Sequence, residues 1–222
     1  MKKFIKDYIK VIGITLTGLV FILASFYLIM NYNHSEEISK TIYIGENDIL
    51  YQKQKNTLNQ LSNNLIIYKN KKINNEAYNI MYENLLSCYN VLQRDGTFSK
   101  INPNNTYTSF EIYNLGDKFQ NDVMNSCYVL NLSYLKTSDV PKEFKSIAPI
   151  IVSYIESINK NLNDSLLEIQ NNSSYFYTTK ITSTTIRNYL NSSYKTIANS
   201  YNDFAEILLY LSDYINNGGY NG

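Results

Sequence analysis

Apolar residues recur at steps of three and four along most of this chain, the spacing that lines one face of an α-helix. Tyr51, Leu58, Leu61, Leu65 and Tyr68 predict a first helix, with Asn47 or Asp48 placed to cap it. Ala77, Met81, Leu85, Cys88 and Leu92 predict a second, ended by Asp95-Gly96. Phe119, Val123, Cys127, Leu130 and Tyr134 predict a third, with a further helical turn at Ile112 and Leu115 ahead of it across Gly116. The fourth is opened by Ser138-Asp139-Val140-Pro141 and lined by Phe144, Ile147, Ile151, Tyr154, Ile158, Leu162, Leu166 and Ile169. Pro149 falls inside that pattern, so a kink or a short first helix ending near Ala148 is expected. The fifth is the longest and most regular: Leu190, Tyr194, Ile197, Tyr201, Phe204, Leu208, Leu211 and Ile215, closed by Gly218-Gly219. Thr41–Ile44 reads as a short extended piece.

The helical period is absent at the N-terminus, where Val11–Met30 is a run of twenty residues without a charge. At about 1.5 Å per residue such a run spans roughly the hydrocarbon core of a bilayer. Lys2, Lys3, Lys6 and Lys10 precede it against Asp7 alone, and Glu36 and Glu37 follow it. The positive-inside rule then puts the N-terminus in the cytoplasm and the rest outside the cell membrane. A cleaved signal peptide has a shorter apolar core with small residues before the cut. Ala24 and Ser25 are small, but the run continues to Met30, which favours an uncleaved, single-pass signal-anchor.

The fold class expected is therefore all-α, with one transmembrane helix followed by an extracytoplasmic antiparallel bundle of four to five helices. Its parts are a basic cytoplasmic tail (1–10), the anchor (11–30), a stalk (31–45), the bundle (46–217) and a flexible tail (218–222). Short connections make the helices alternate in direction. Segments 94–116 and 171–181 fall at the membrane-proximal end, and turns 70–73 and 137–140 join the C-terminus at the distal tip.

Composition narrows the function classes. A chain of 222 residues, 44% hydrophobic, is long enough for one domain with a core. Gly 8 and Pro 3 are too few for the turns of a sandwich or barrel. Twenty basic against 19 acidic residues leave no polybasic footprint, so nucleic acid is not an expected partner. The excess of Lys (18) over Arg (2) and Ile (27) over Val (7), with 32 Asn and 22 Tyr, follows AT-rich codons and marks a low-GC genome. Tyr and Asn counts therefore say little about binding.

Candidate chemistry is sparse. His34 is the only histidine and lies in the stalk, too few ligands for a metal centre. There is no Gly-x-Ser-x-Gly elbow and no phosphate-binding Gly-rich loop. No catalytic, cofactor-binding or metal-binding residue is assigned, no cofactor is expected, and the chain reads as a non-enzyme.

Cys88 and Cys127 fall on apolar faces of consecutive helices and read either as buried thiols or as a disulfide. If the third helix starts at Asp117 the two lie about 6 Å apart along the bundle axis; if it starts at Ser109 they lie about 18 Å apart. A bond needs Cα atoms within about 7 Å. The long mixed segment Gly96–Leu115 reads as a connector packing Phe98, Tyr107 and Phe110 beneath the bundle, or as a functional loop.

Ile207, Leu208, Leu209, Tyr210 and Leu211 make the end of helix five apolar on most sides. Such a helix is either central in its domain or covered by another chain. On the second alternative Tyr201, Phe204, Leu208 and Leu211 anchor a partner or homo-oligomer contact, and Leu209 and Tyr210 point away from the intramolecular core. The function expected is a membrane-anchored, non-enzymatic cell-envelope protein, held by lipid through its N-terminal helix. Its outer bundle mediates protein–protein interaction or assembly with an envelope or membrane protein. The alternative is an extracytoplasmic ligand-sensing bundle, which resembles in architecture alone the four-helix sensor domains of chemoreceptors and needs a separate signalling partner.

Overall fold

The computed structural model describes residues 17–31, 41–94, 104–124, 135, 140–172 and 183–218. Residues 17–31 are helical with every side chain exposed, Phe21 at 74% and Ile22 at 70%. The apolar run enters the described residues only at 17, and among those residues no helix is long and apolar enough to cross a membrane. The four orienting lysines lie outside the described residues.

The bundle begins with strand β1 (Thr41–Ile44), whose Ile42 and Ile44 are buried. Helix α1 (Ile49–Lys71) follows. Of the two cap candidates Asp48 takes the role: its extended backbone places Oδ1 3.0 Å from the amide of Tyr51, which donates to it. Lys72 then stops the helix in the left-handed region, at φ 48° and ψ 48°. Asn75 starts α2 (Glu76–Arg94) in the same way, accepting from the amide of Tyr78 at 3.1 Å. Leu58, Leu61, Leu65, Tyr68, Met81, Leu85, Cys88 and Leu92 are all buried, as their spacing predicts.

The described part of the Gly96–Leu115 segment, from Asn104 on, is more structured than a connector. Its residues Asn105–Thr108 form strand β2, antiparallel to β1 with Thr41 opposite Thr108 and Ile44 opposite Asn105. The bundle is thus mostly helical with a two-stranded ribbon added at one end. Helix α3 (Ser109–Lys118) starts on a capping box, in which Thr108 Oγ1 accepts from the amide of Glu111 and the Glu111 carboxylate accepts from the amide of Thr108. It runs on through a π-helical turn, Phe119–Met124. Helix three therefore starts at Ser109, the start for which the cysteines fall about 18 Å apart along the axis. Cys127 itself lies outside the described residues.

Gly116 does not break this helix; it lets two others approach. A Cβ there would meet Leu166 Cδ2 at 2.6 Å and Ile197 Cδ1 at 2.9 Å. Gly116→Val should therefore overpack the core and lower stability by about 1–3 kcal/mol. Chemical denaturation followed by far-UV circular dichroism measures this. An unchanged midpoint would mean that α3 sits farther from its neighbours.

Helix α4 (Ala148–Asn172) resolves the expected interruption at Pro149 as a separate short piece ahead of the helix. Pro141 opens a separate turn, with the amide of Phe144 donating to the Pro141 carbonyl at 2.9 Å. The helix proper begins at Ala148, which puts Pro149 in the first turn, where its missing N–H costs nothing. One residue of the predicted face is also corrected. Tyr154 is 62% exposed and Ile155 is buried in its place, because an all-carbon side chain is cheaper to enclose than a phenol.

Helix α5 (Ser183–Asn216) is the spine, and all eight of its predicted core positions are buried. It packs chiefly along α1 and α4. Tyr194 Oη donates to Asp48 Oδ1 at 3.0 Å, Asn64 Nδ2 donates to Ser212 Oγ at 2.9 Å, and Lys71 Nζ donates to the Asn216 carbonyl at 2.7 Å. These contacts run in step, so α1 and α5 are parallel. At the shared end Phe144 lies between the rings of Tyr78 (5.7 Å) and Tyr214 (5.9 Å), and Tyr214 Oη donates to the Glu143 carbonyl. The α1–α2 turn and the end of α5 therefore meet at one tip, and the β1–β2 ribbon lies at the other.

Candidate functional site

The α5 residues expected to contact a partner divide sharply. Tyr201, Phe204, Leu208 and Leu211 are between 0% and 1% exposed inside the bundle, so they anchor the domain and have no surface to offer. Helical period explains it: their steps of three, four and three keep them on the side that α1, α3 and α4 enclose. Leu209 is partly buried against the core, and Tyr210 is 42% exposed. Cys88 is buried among α2 core residues. Lys2, Lys3, Lys6, Lys10, His34 and Cys127 lie outside the described residues.

Tyr210 borders a groove of about 480 Å³ between α4 and α5. Ile151, Ile158 and Ile207 form its buried floor. Ile150 (57% exposed), Tyr154 and Tyr210 stand on its walls. The pairs Ile150-Ile151 and Ile207-Leu208 explain how one helix can feed both core and groove: adjacent residues point about 100° apart, so one is inward and the next outward.

The groove is polarised along its length. Ser157, Asn161, Asp203 and Glu206 line the half farther from the aromatic tip. Glu206 is bridged to Lys53 of α1 at 2.8 Å. Asp203 lies one turn earlier on α5. Burial raises its carboxyl above the ordinary range; nearby Lys53 opposes that shift and Glu206 adds to it. A raised folded pKa means that the ionised form is the less favoured one, so stability contributed by Asp203 falls as pH rises through the carboxylate range.

Among the described residues no three His, Cys, Asp or Glu side chains gather to hold a metal ion. What the arrangement offers is an apolar trough with an acidic end. Sequence reasoning found Tyr210 and missed Ile150, Tyr154, Asn161, Asp203 and Glu206. The doubled aliphatics at 150–151 and 207–208 were the available signal. Comparison with known proteins finds no matching family model, no similar curated protein and no similar solved structure.

Proposed function

We propose that this chain is a single-pass, membrane-anchored, non-enzymatic protein of the cell envelope whose outer bundle binds another protein. The groove between α4 and α5 carries the reading: Ile150, Tyr154 and Tyr210 hold apolar surface in solvent beside a buried aliphatic floor. Exposed apolar surface gathered in one trough marks an interaction site more often than scattered residues do. The anchor draws support from 17–31, where the helix exposes Leu19, Phe21, Ile22 and Phe26 to its surroundings. Ser25 Oγ donates to the Phe21 carbonyl at 2.8 Å, so its hydroxyl needs no water, as a lipid environment requires. With the lysines on the cytoplasmic side, the groove lies outside the membrane.

A volume of about 480 Å³ also falls within the range of small-ligand sites, which favours the sensor alternative. Both readings meet one experiment. A photo-crosslinking residue is placed at position 154 or 210 of the full chain in its native membrane, with position 66 on α1 as an exposed control. Adducts of discrete higher mass at 154 and 210, absent at 66, are expected. Adducts at none of the three, with a small molecule retained by the purified chain, would replace protein binding by ligand sensing. A groove position protected from external protease in intact cells but cleaved after lysis would overturn the orientation.

A further inference from the structure

Resting on that reading, we infer that the groove seats a cationic amphipathic helix of a partner protein, with aliphatic side chains on the isoleucine floor and a Lys or Arg against Asp203. The walls are two antiparallel helices, and the trough between such a pair is where a third helix packs in a bundle. Its α4 side runs from Ile150 to Asn161, about three helical turns. That length suits anchors at i, i+3 or i+4, and i+7, the spacing by which an amphipathic helix fills a groove.

Charge selects the sign of the occupant. The lining holds two acids, Asp203 and Glu206, and no base. Lys53 stands near both acids but is bridged to Glu206, and among the described residues no side-chain hydrogen bond or ion pair is made by the Asp203 carboxylate. One negative charge therefore remains at the polar end. A cation placed there meets an unneutralised carboxylate, whereas an acidic helix would meet repulsion. Geometry sets the register. Tyr210 and Asp203 are seven residues apart on α5, about 10.5 Å along its axis. A helix running antiparallel to α5 covers that distance in two turns, so its basic residue stands about seven positions after the apolar anchor beside Tyr210.

The test uses the full chain in phosphatidylcholine nanodiscs and a displayed library of 14-residue helical peptides. Each peptide carries Leu, Ile, Phe or Tyr at i and at i+3 or i+4, and Lys, Arg or Glu at i+7. Selection should enrich Lys and Arg over Glu. A selected Lys peptide should lose about tenfold or more in affinity on Asp203→Lys. Its Glu counterpart should gain on that same variant. Tyr154→Ala should weaken both, and Asp203→Asn should keep the wild-type melting temperature while weakening the Lys peptide. Binders indifferent to the charge at 203, or no binders from any class, would overturn the inference. A dimer of the chain that Tyr154→Ala dissolves would do so too, by making a second copy the occupant. Membrane adducts at 154 and 210 that persist when the charge exchange has no effect would remove the cationic helix and leave protein binding standing. Loss of those adducts removes both.

Discussion

Phe204→Ala is expected to lower the stability of the bundle by about 3–5 kcal/mol, the loss typical of deleting a buried ring. Phe204 is 1% exposed on the central helix. Its ring stands edge-on to Phe119 at 6.1 Å, and Phe119 in turn lies 5.0 Å from Tyr201. The alanine therefore leaves a cavity where α3 meets α5, and removes an aromatic contact worth about 0.5–1.5 kcal/mol of that total. Tyr154→Ala is the control: its side chain stands in solvent, so the change should stay within about 0.5 kcal/mol. Denaturation followed by far-UV circular dichroism separates the two. If Phe204→Ala cost no more than Tyr154→Ala, α5 would be a covered surface helix and its apolar stripe would again be open to a partner.

The same pair of residues shows what the sequence could and could not disclose. Burial of one face imposes a period, so the eight α5 positions and the α1 and α2 faces were legible from spacing alone. The short extended piece at Thr41–Ile44 was read from the sequence too. Its partner was not. Asn105–Thr108 has one apolar residue, Tyr107, and its strand character comes from pairing with residues more than sixty positions earlier. Gly116 misled for a similar reason. Local propensity makes a mid-helix glycine a break, yet here the deciding contacts are Leu166 and Ile197, remote in sequence. The groove combines both difficulties. Spacing by threes and fours assigned Tyr154 to the core, because 154 and 155 fit the same stripe almost equally well. Asp203 fits no apolar pattern at all, and it becomes notable only once α4 is seen beside it. The apolar run of helix five was thus read in the right place while its anchoring residues belong to the domain's own interior.

Asp48→Ala should be the most costly substitution outside the core, at about 2–4 kcal/mol, because one carboxylate oxygen serves two donors. Asp48 Oδ1 accepts from the amide of Tyr51 at the start of α1 and from Tyr194 Oη, 3.0 Å away on α5. Loss of the cap costs about 1 kcal/mol. The phenol of Tyr194, only 4% exposed, would also lose its hydrogen bond to Asp48, which adds about 1–3 kcal/mol. Asp48→Asn keeps an oxygen at the same place and should recover most of the loss, since Asn caps about as well as Asp. The pair also sets an alkaline limit. Burial first, then the neighbouring Asp48 carboxylate and the hydrogen bond to it, push the Tyr194 phenol well above its ordinary range. Tyr68 is pushed up to about 12, chiefly by burial. A phenol whose pKa is higher folded than unfolded keeps its full contribution below about pH 10 and loses it above, where the unfolded chain gives up the proton first. Melting temperature should therefore fall from about pH 10 upward, and less steeply in Tyr194→Phe. If Asp48→Asn proved as damaging as Asp48→Ala, charge rather than an acceptor in place would be what joins α1 to α5. A Tyr194→Phe variant with an unaltered alkaline slope would assign that slope to the tip tyrosines instead.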